Sequence, residues 1–187
     1  MSIGELINNI YPLAETSKLM LENYVTEVQL SKGHILFRAD RIETSIYFIK
    51  KGLVRAYAES EDREITFWFG KEGDTAISMK SYVENQKSYE NIELLEDCEF
   101  YEIKSRDLQG LFSSDIEIAN WGRRLAEGEL IKTEERLISQ LFQTASQRYE
   151  GLLNEHPDLL QRVSLGYIAS YLGVTQASLS RIRSGLK

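Results

Sequence analysis

The residues best suited to chemistry lie in the stretch RVSLGYIASYLGVTQASLSRIRSGLK, residues 162–187. This window holds Arg162, Arg181, Arg183 and Lys187 and no acid, although the whole chain carries a net charge of −7. Cationic and small polar side chains gathered at one end of an acidic protein suit contact with a phosphate backbone, with the rest of the molecule held away from it. No comparable cluster points to catalysis, because no nucleophile–base pair stands out. Cys98 is the single cysteine, so an intrachain disulfide and a cysteine-built zinc or iron–sulfur centre are excluded. His34 and His156 are the only histidines, which excludes a three-histidine metal site; only carboxylates remain for a hard cation. The expectation is a protein with no catalytic residues, no metal site and no cofactor.

Two short helices must position the cationic group. Ser164 is placed to cap the first, and Ile168 and Leu172 share one face of it at i, i+4 spacing. Gly173 falls where that helix must stop, since glycine takes a left-handed turn without strain. Thr175 can cap the second helix, with Leu179 and Ile182 on its inner side and Gln176, Ser178, Arg181 and Arg183 left for the outside. Helix, glycine turn and helix with a polar, basic outer face make a helix-turn-helix pattern. A merely packed helical hairpin is the competing reading, and the charge favours DNA.

The remainder is ordinary globular sequence, 42% hydrophobic and 27% charged, long enough for one domain or two small ones. The N-terminus lacks the basic-then-apolar order of a signal peptide, and no apolar run approaches the roughly 18 residues of a membrane span. The expected location is the cytoplasm, without membrane contact. Ile3, Leu6, Ile7 and Ile10 repeat at helical spacing before Pro12, and a second short helix is predicted over residues 17–24. Between residues 25 and 104 the period falls to two. Segments such as SIYFIK, LVRAYA, EITFWF and CEFYEIK alternate with turns at Lys32-Gly33, Lys51-Gly52, Gly70, Gly73-Asp74 and the polar tip 59–63. About eight short strands without crossover helices predict an antiparallel jelly roll or small barrel. A long helix is then predicted over 115–133, with Ile118, Trp121 and Leu125 as an apolar stripe and Gly122, Ala126 and Gly128 small enough for close helix approach. The stripe either lies on the chain's own barrel or forms a dimer seam. Another amphipathic helix is predicted over 136–150, with Leu137, Leu141 and Ala145 on one side.

An eight-strand jelly roll, a long helix and a closing helix-turn-helix, in that order, resemble the Crp/Fnr family of bacterial transcription regulators. The resemblance is strongest in IASYLGVTQASLSRIR and extends to SKGHILFRAD, SIYFIKKGLVRAYAE and EGD. It implies an α+β chain with a cyclic-nucleotide-binding-like jelly-roll barrel and short N-terminal helices over 1–110. A dimerisation helix follows over 111–135, and a helix-turn-helix DNA-binding domain over 136–187. It also implies a homodimer whose recognition helices enter successive major grooves of double-stranded DNA, with RNA polymerase and a small-molecule effector as further partners. Ile118, Trp121 and Leu125 would then form the dimer seam.

The resemblance also assigns Thr175, Gln176, Ala177, Ser178 and Arg181 to the DNA-facing positions of the recognition helix. Arg181 can fork onto guanine O6 and N7, and Gln176 can bond adenine or a phosphate. Ala177 replaces a base-reading glutamate of the cyclic-AMP-binding relatives, so the target sequence should differ from theirs. Ser164 and the N-terminus of the second helix can hold backbone phosphates, and Arg183 is a solvated charge or a phosphate contact rather than a base reader. Relatives commonly continue into a β-hairpin wing, whereas only Leu186 and Lys187 follow Gly185 here.

The effector site departs from the family pattern. The ribose-holding glutamate has Ser78 as its ungapped counterpart, and the phosphate-holding arginine has Ser88. Lys87 is adjacent, but one residue along a strand reverses the face, unless the loop carries a slip. Without a guanidinium fork, and with Glu84, Glu90 and Glu93 nearby, phosphate binding is disfavoured. The candidate pocket is Ser78, Met79, Lys87, Ser88 and Tyr89, for an effector other than cyclic AMP. Redox and haem sensing lack the cysteines and axial ligands they need, and Cys98 reads as a buried strand residue. The alternatives are a cupin-like metalloenzyme, which two isolated histidines exclude, and a ligand-binding or protein-interaction jelly-roll module without direct DNA binding.

Overall fold

The computed structural model describes residues 1–61 and 63–185. Asp62, part of the predicted hairpin tip, and Lys187, part of the cationic count, lie outside the described residues. Helices α1 (Ile3–Ile10) and α2 (Glu15–Glu22) come first. Ser2 opens α1 with a reciprocal cap: its hydroxyl accepts from the Glu5 amide, and the Glu5 carboxylate accepts from the Ser2 amide. Strands β1 (Thr26–Leu30), β2 (Ile35–Phe37), β3 (Ser45–Lys51), β4 (Val54–Ser60), β5 (Arg63–Gly70) and β6 (Thr75–Ala76) follow. After α3 (Met79–Glu84) come β7 (Asn91–Leu94) and β8 (Cys98–Lys104), and then α4 (Ser105–Ser114), α5 (Ile116–Phe142), α6 (Ala145–Glu155), α7 (Leu159–Arg162), α8 (Leu165–Tyr171) and α9 (Gln176–Gly185).

Among the described residues, eight strands form two four-stranded sheets, ordered β1-β8-β3-β6 and β2-β7-β4-β5. The expected barrel is therefore not closed. The first sheet ends on β6, which is only two residues long, and the second ends on β5. The β1–β8, β3–β8, β3–β6 and β2–β7 pairings are antiparallel, with Val28 opposite Phe100 and Ile46 opposite Ile103. Cys98 is buried in β8, as its apolar setting predicts, and burial pushes its thiol up to about 11.

The chain divides into two compact units: Met1–Ala56 with Phe69–Glu129, and Tyr57–Trp68 with Leu130–Lys187. The first unit packs Leu6, Ile7, Leu21, Ile46, Phe48, Tyr101, Ile103, Leu108 and Leu111 around Ile118 and Trp121. Ile118 is 0% exposed and Trp121 1%. The Trp121 indole lies 5.9 Å from the Phe48 ring and donates to the carbonyl of Ile7 at 3.0 Å. Leu125 is partly buried against the same core. The dimer seam expected of Ile118, Trp121 and Leu125 is thus corrected: the single chain has already covered this stripe with α1 and the sheet. Gly122 does permit a close approach, but of Phe112 in the same chain, whose ring a Cβ would meet at 2.2 Å.

The expected break near residues 133–136 does not occur. Helix α5 runs unbroken to Phe142, and the interruption comes at Thr144, whose hydroxyl accepts from the Gln147 amide while the Gln147 side chain accepts from the Thr144 amide. Asp115 caps the start of α5, with one carboxylate oxygen accepting from the amides of Glu117 and Ile118 at 2.8 and 3.1 Å.

Candidate nucleic-acid interface and effector site

Within the second unit, local bonds build a hairpin from α8 and α9. Ser164 caps α8 by accepting from the Tyr167 amide at 3.3 Å. Gly173 ends it at φ +70°. The Gly173 amide returns to the carbonyl of Ser170 and the Val174 amide to that of Ala169, at 3.1 and 3.0 Å, closing the helix end with the left-handed turn that glycine favours. Thr175 caps α9, its hydroxyl accepting from the Ser178 amide at 3.1 Å. Ile168, Ala169, Leu172 and Leu179 are buried between the helices and their surroundings.

This burial fixes which face of α9 is outward. Thr175, Gln176, Ala177, Arg181 and Arg183 are exposed, and Ser178 is half-buried. At 100° per residue, Ala177, Ser180, Arg181 and Ser184 lie opposite Leu179 and Ile182, with Gln176 and Arg183 on one flank. Ser180 and Ser184 therefore join the outward face, although nothing in their residue type distinguishes them from other surface serines. Ser184 turns its hydroxyl back to the carbonyls of Ser180 and Arg181. Ser164 and Gln176 are brought together: a Cβ at Gly166 would lie 4.0 Å from Ser164 Oγ and 3.8 Å from Gln176 Oε1. The amide of Gln176 therefore stands beside the first turn of α8, where partly positive N–H groups favour an anion.

Three further side chains hold the opposite end of α8. Arg136, on α5, stacks its guanidinium 3.6 Å from the Tyr171 ring centroid and donates to the carbonyls of Tyr171 and Phe67. Gln140 also donates to the Tyr171 carbonyl at 3.3 Å. Arg148 donates to the carbonyl of Leu172 at 2.8 Å and to that of Gln143 at 2.6 Å. Cations at a helix C-terminus meet its partly negative carbonyls, so the arrangement is electrostatically matched. Burial pulls the Arg136 pKa below the ordinary arginine value. Sequence spacing alone does not mark these three residues as partners of α8.

The five residues of the expected effector pocket do not share one environment. Ser78 and Ser88 are buried, whereas Met79, Lys87 and Tyr89 are exposed. The Ser78 hydroxyl donates to that of Ser81 at 3.2 Å, and the Ser88 hydroxyl to the carbonyl of Arg38 at 3.0 Å. The backbone of Ser88 is stapled on both sides, to the Asp40 amide and to the Arg41 carbonyl, each at 2.9 Å. Glu90 is 6% exposed and accepts from the Tyr89 amide at 3.3 Å. Glu93, read as a repelling charge, instead pairs with buried Arg55 at 2.9 Å. Arg55, inside the apolar run LVRAYA, was the available signal for that pair.

Residues 27–115 match the cyclic nucleotide-binding domain family. A search of the curated proteins finds no match. Among solved structures, the chain is similar to FixK2 from Bradyrhizobium japonicum, with 23% identity, a TM-score of 0.74, and 87% of this chain and 84% of that one covered. It is also similar to a protein assigned to the Crp/Fnr family of transcriptional regulators from Eubacterium rectale, at 18% identity, TM-score 0.73, and coverage of 93% and 85%. A third is the c-di-GMP-responsive global regulator CLP of Xanthomonas campestris, at 19% identity, TM-score 0.69, and coverage of 92% and 91%. At these identities the likeness is one of fold. No helix among the described residues is long and apolar enough to cross a membrane.

Proposed function

From the premise that this chain carries a cyclic nucleotide-binding domain within a Crp/Fnr-type fold, we propose that it is a sequence-specific DNA-binding transcription regulator of the cytoplasm that acts as a homodimer. The observation that carries the reading is the capped hairpin α8–α9. It buries Leu179 and turns Ala177 and Arg181 outward, in a window of sequence without a single acid. Arg181 reads a base edge, guanine by preference, and Gln176 and Ser164 hold phosphate beside the first turn of α8. Ser178 and Arg183 contact the backbone from the flanks. Thr175 serves by capping, and Ala177 offers a methyl group to a thymine.

One hairpin buries little surface, and two half-sites one helical turn apart require two copies. The seam we assign is the exposed stripe on the C-terminal half of α5: Leu130, Ile131, Leu137, Ile138, Leu141 and Phe142. Leu130 and Leu137, like Ile131 and Ile138, stand seven residues apart, and Leu141 and Phe142 continue each row four residues on. That is the spacing of a two-stranded coiled coil. Phe142 is 78% exposed in the single chain, a cost the partner helix removes.

The effector, in this reading, is not cyclic AMP. The position of the phosphate-holding arginine is taken by Ser88, whose hydroxyl is engaged with Arg38, and the neighbouring buried group is the carboxylate of Glu90. RNA polymerase is the partner such a regulator would meet at a promoter. Selection of genomic DNA by the purified chain tests the proposal. It should return a motif with two half-sites about 34 Å apart, bound more weakly as salt rises. Recovery of no motif favours a jelly-roll module that does not touch DNA.

A further inference from the structure

The second unit contains, besides the helices, the tip of the β4–β5 hairpin. Among the described residues, strand β5 is the last strand of its sheet, so one row of its backbone groups faces away from β4. Ser170 of α8 meets that row. Its hydroxyl donates to the carbonyl of Glu64 at 3.0 Å and accepts from the amide of Thr66 at 2.9 Å. A residue of a parallel neighbouring strand bonds the two residues flanking its opposite number in the same way. One serine side chain therefore stands in for a strand, with Ile65 between its two bonds. Arg136 adds a second connection, since its guanidinium donates to the carbonyls of both Phe67 on β5 and Tyr171 on α8. Arg136 belongs to the same half of α5 as the exposed stripe that includes Leu137 and Ile138.

We propose that Ser170 and Arg136 are positioning residues that lock the α8–α9 hairpin to the seam-bearing half of α5 through the edge of β5. This lock fixes the half-site spacing a dimer accepts. The inference rests on the reading of the chain as a dimeric DNA binder. Neither residue lies on the outward face of α9, so the lock governs where the two reading helices stand rather than what each reads.

The test uses the full chain and the two-half-site duplex recovered by selection with the unaltered protein, together with duplexes whose spacing is changed by two base pairs. Ser170→Ala should lower the preference for the correct spacing roughly fivefold or more, with affinity for an isolated half-site unchanged and the base preferences intact. Ser170→Thr, which keeps the hydroxyl, should restore the preference. Arg136→Lys, which cannot span two carbonyls with a planar fork, should behave like Ser170→Ala. Amide hydrogen exchange provides an arm without DNA, in which the Thr66 amide should exchange faster in Ser170→Ala. A recovered duplex with unaltered spacing preference in Ser170→Ala, or an unaltered Thr66 exchange rate, overturns the lock alone. A selection that recovers no duplex overturns the DNA reading beneath it.

Discussion

The indole N–H of Trp121 is bonded to the carbonyl of Ile7, 114 residues earlier in the chain, at 3.0 Å. That bond makes Trp121 part of the core of its own chain. Truncating it to alanine removes a buried aromatic side chain and should cost about 3–5 kcal/mol, measured by urea unfolding. Trp121→Phe should leave the sedimentation mass unchanged, since the proposed dimer seam does not include it.

The exposed stripe of α5 makes the opposite prediction. Leu137→Glu combined with Ile138→Glu places charge at the proposed seam, on side chains that are 56% and 49% exposed in the single chain. The double variant should keep its thermal midpoint under dilute conditions and sediment at the mass of one chain. A mass that stays at two chains would move the seam off this stripe.

These two sites mark where sequence reading ends. Hairpin α8–α9 was legible because its signals are local: Ser164 and Thr175 each cap an amide three residues on, and Gly173 closes a helix end within five residues. The stripe at Ile118, Trp121 and Leu125 was legible as apolar, but periodicity does not say whether the same chain or a second copy covers it. The bonds from Ser170 to Thr66 and from Arg136 to Tyr171 join residues 104 and 35 positions apart, with ordinary polar residue types at each end. Nothing local marks them. Likewise, period-two alternation identified the strands, yet closure depends on edge pairing that a two-residue β6 does not provide.

Gly173 supports a stability prediction. Its φ of +70° penalises any side chain, while a Cβ there would meet Gln140 Oε1 at an ordinary 3.6 Å. Gly173→Ala should therefore cost about 1–2 kcal/mol from backbone conformation alone, seen as a lower urea midpoint with an unchanged slope.

Acid should weaken the first unit through Asp115. The hydroxyl of Ser17 and the amides of Ile118 and Glu117 donate to its carboxylate, holding its pKa below the ordinary 3.8. A carboxylate depressed in the folded state binds its proton more readily when unfolded. Its stabilisation is therefore present above about pH 4 and is lost as pH falls through the lower folded value. Asp115→Asn, which keeps a capping oxygen, should flatten this part of the pH–stability profile, measured by urea unfolding between pH 5 and pH 2.

The proposed contact of Arg181 with DNA is decisive for the function. The measurement is the affinity of the purified chain for its selected two-half-site duplex across a range of salt, with and without Arg181→Ala. The expected result is a linear fall of log affinity with log salt for both proteins. The variant should be weaker by about 1–3 kcal/mol per half-site and indifferent to one base position. Affinity that ignores salt, or a variant that binds every sequence as the unaltered chain does, would contradict it.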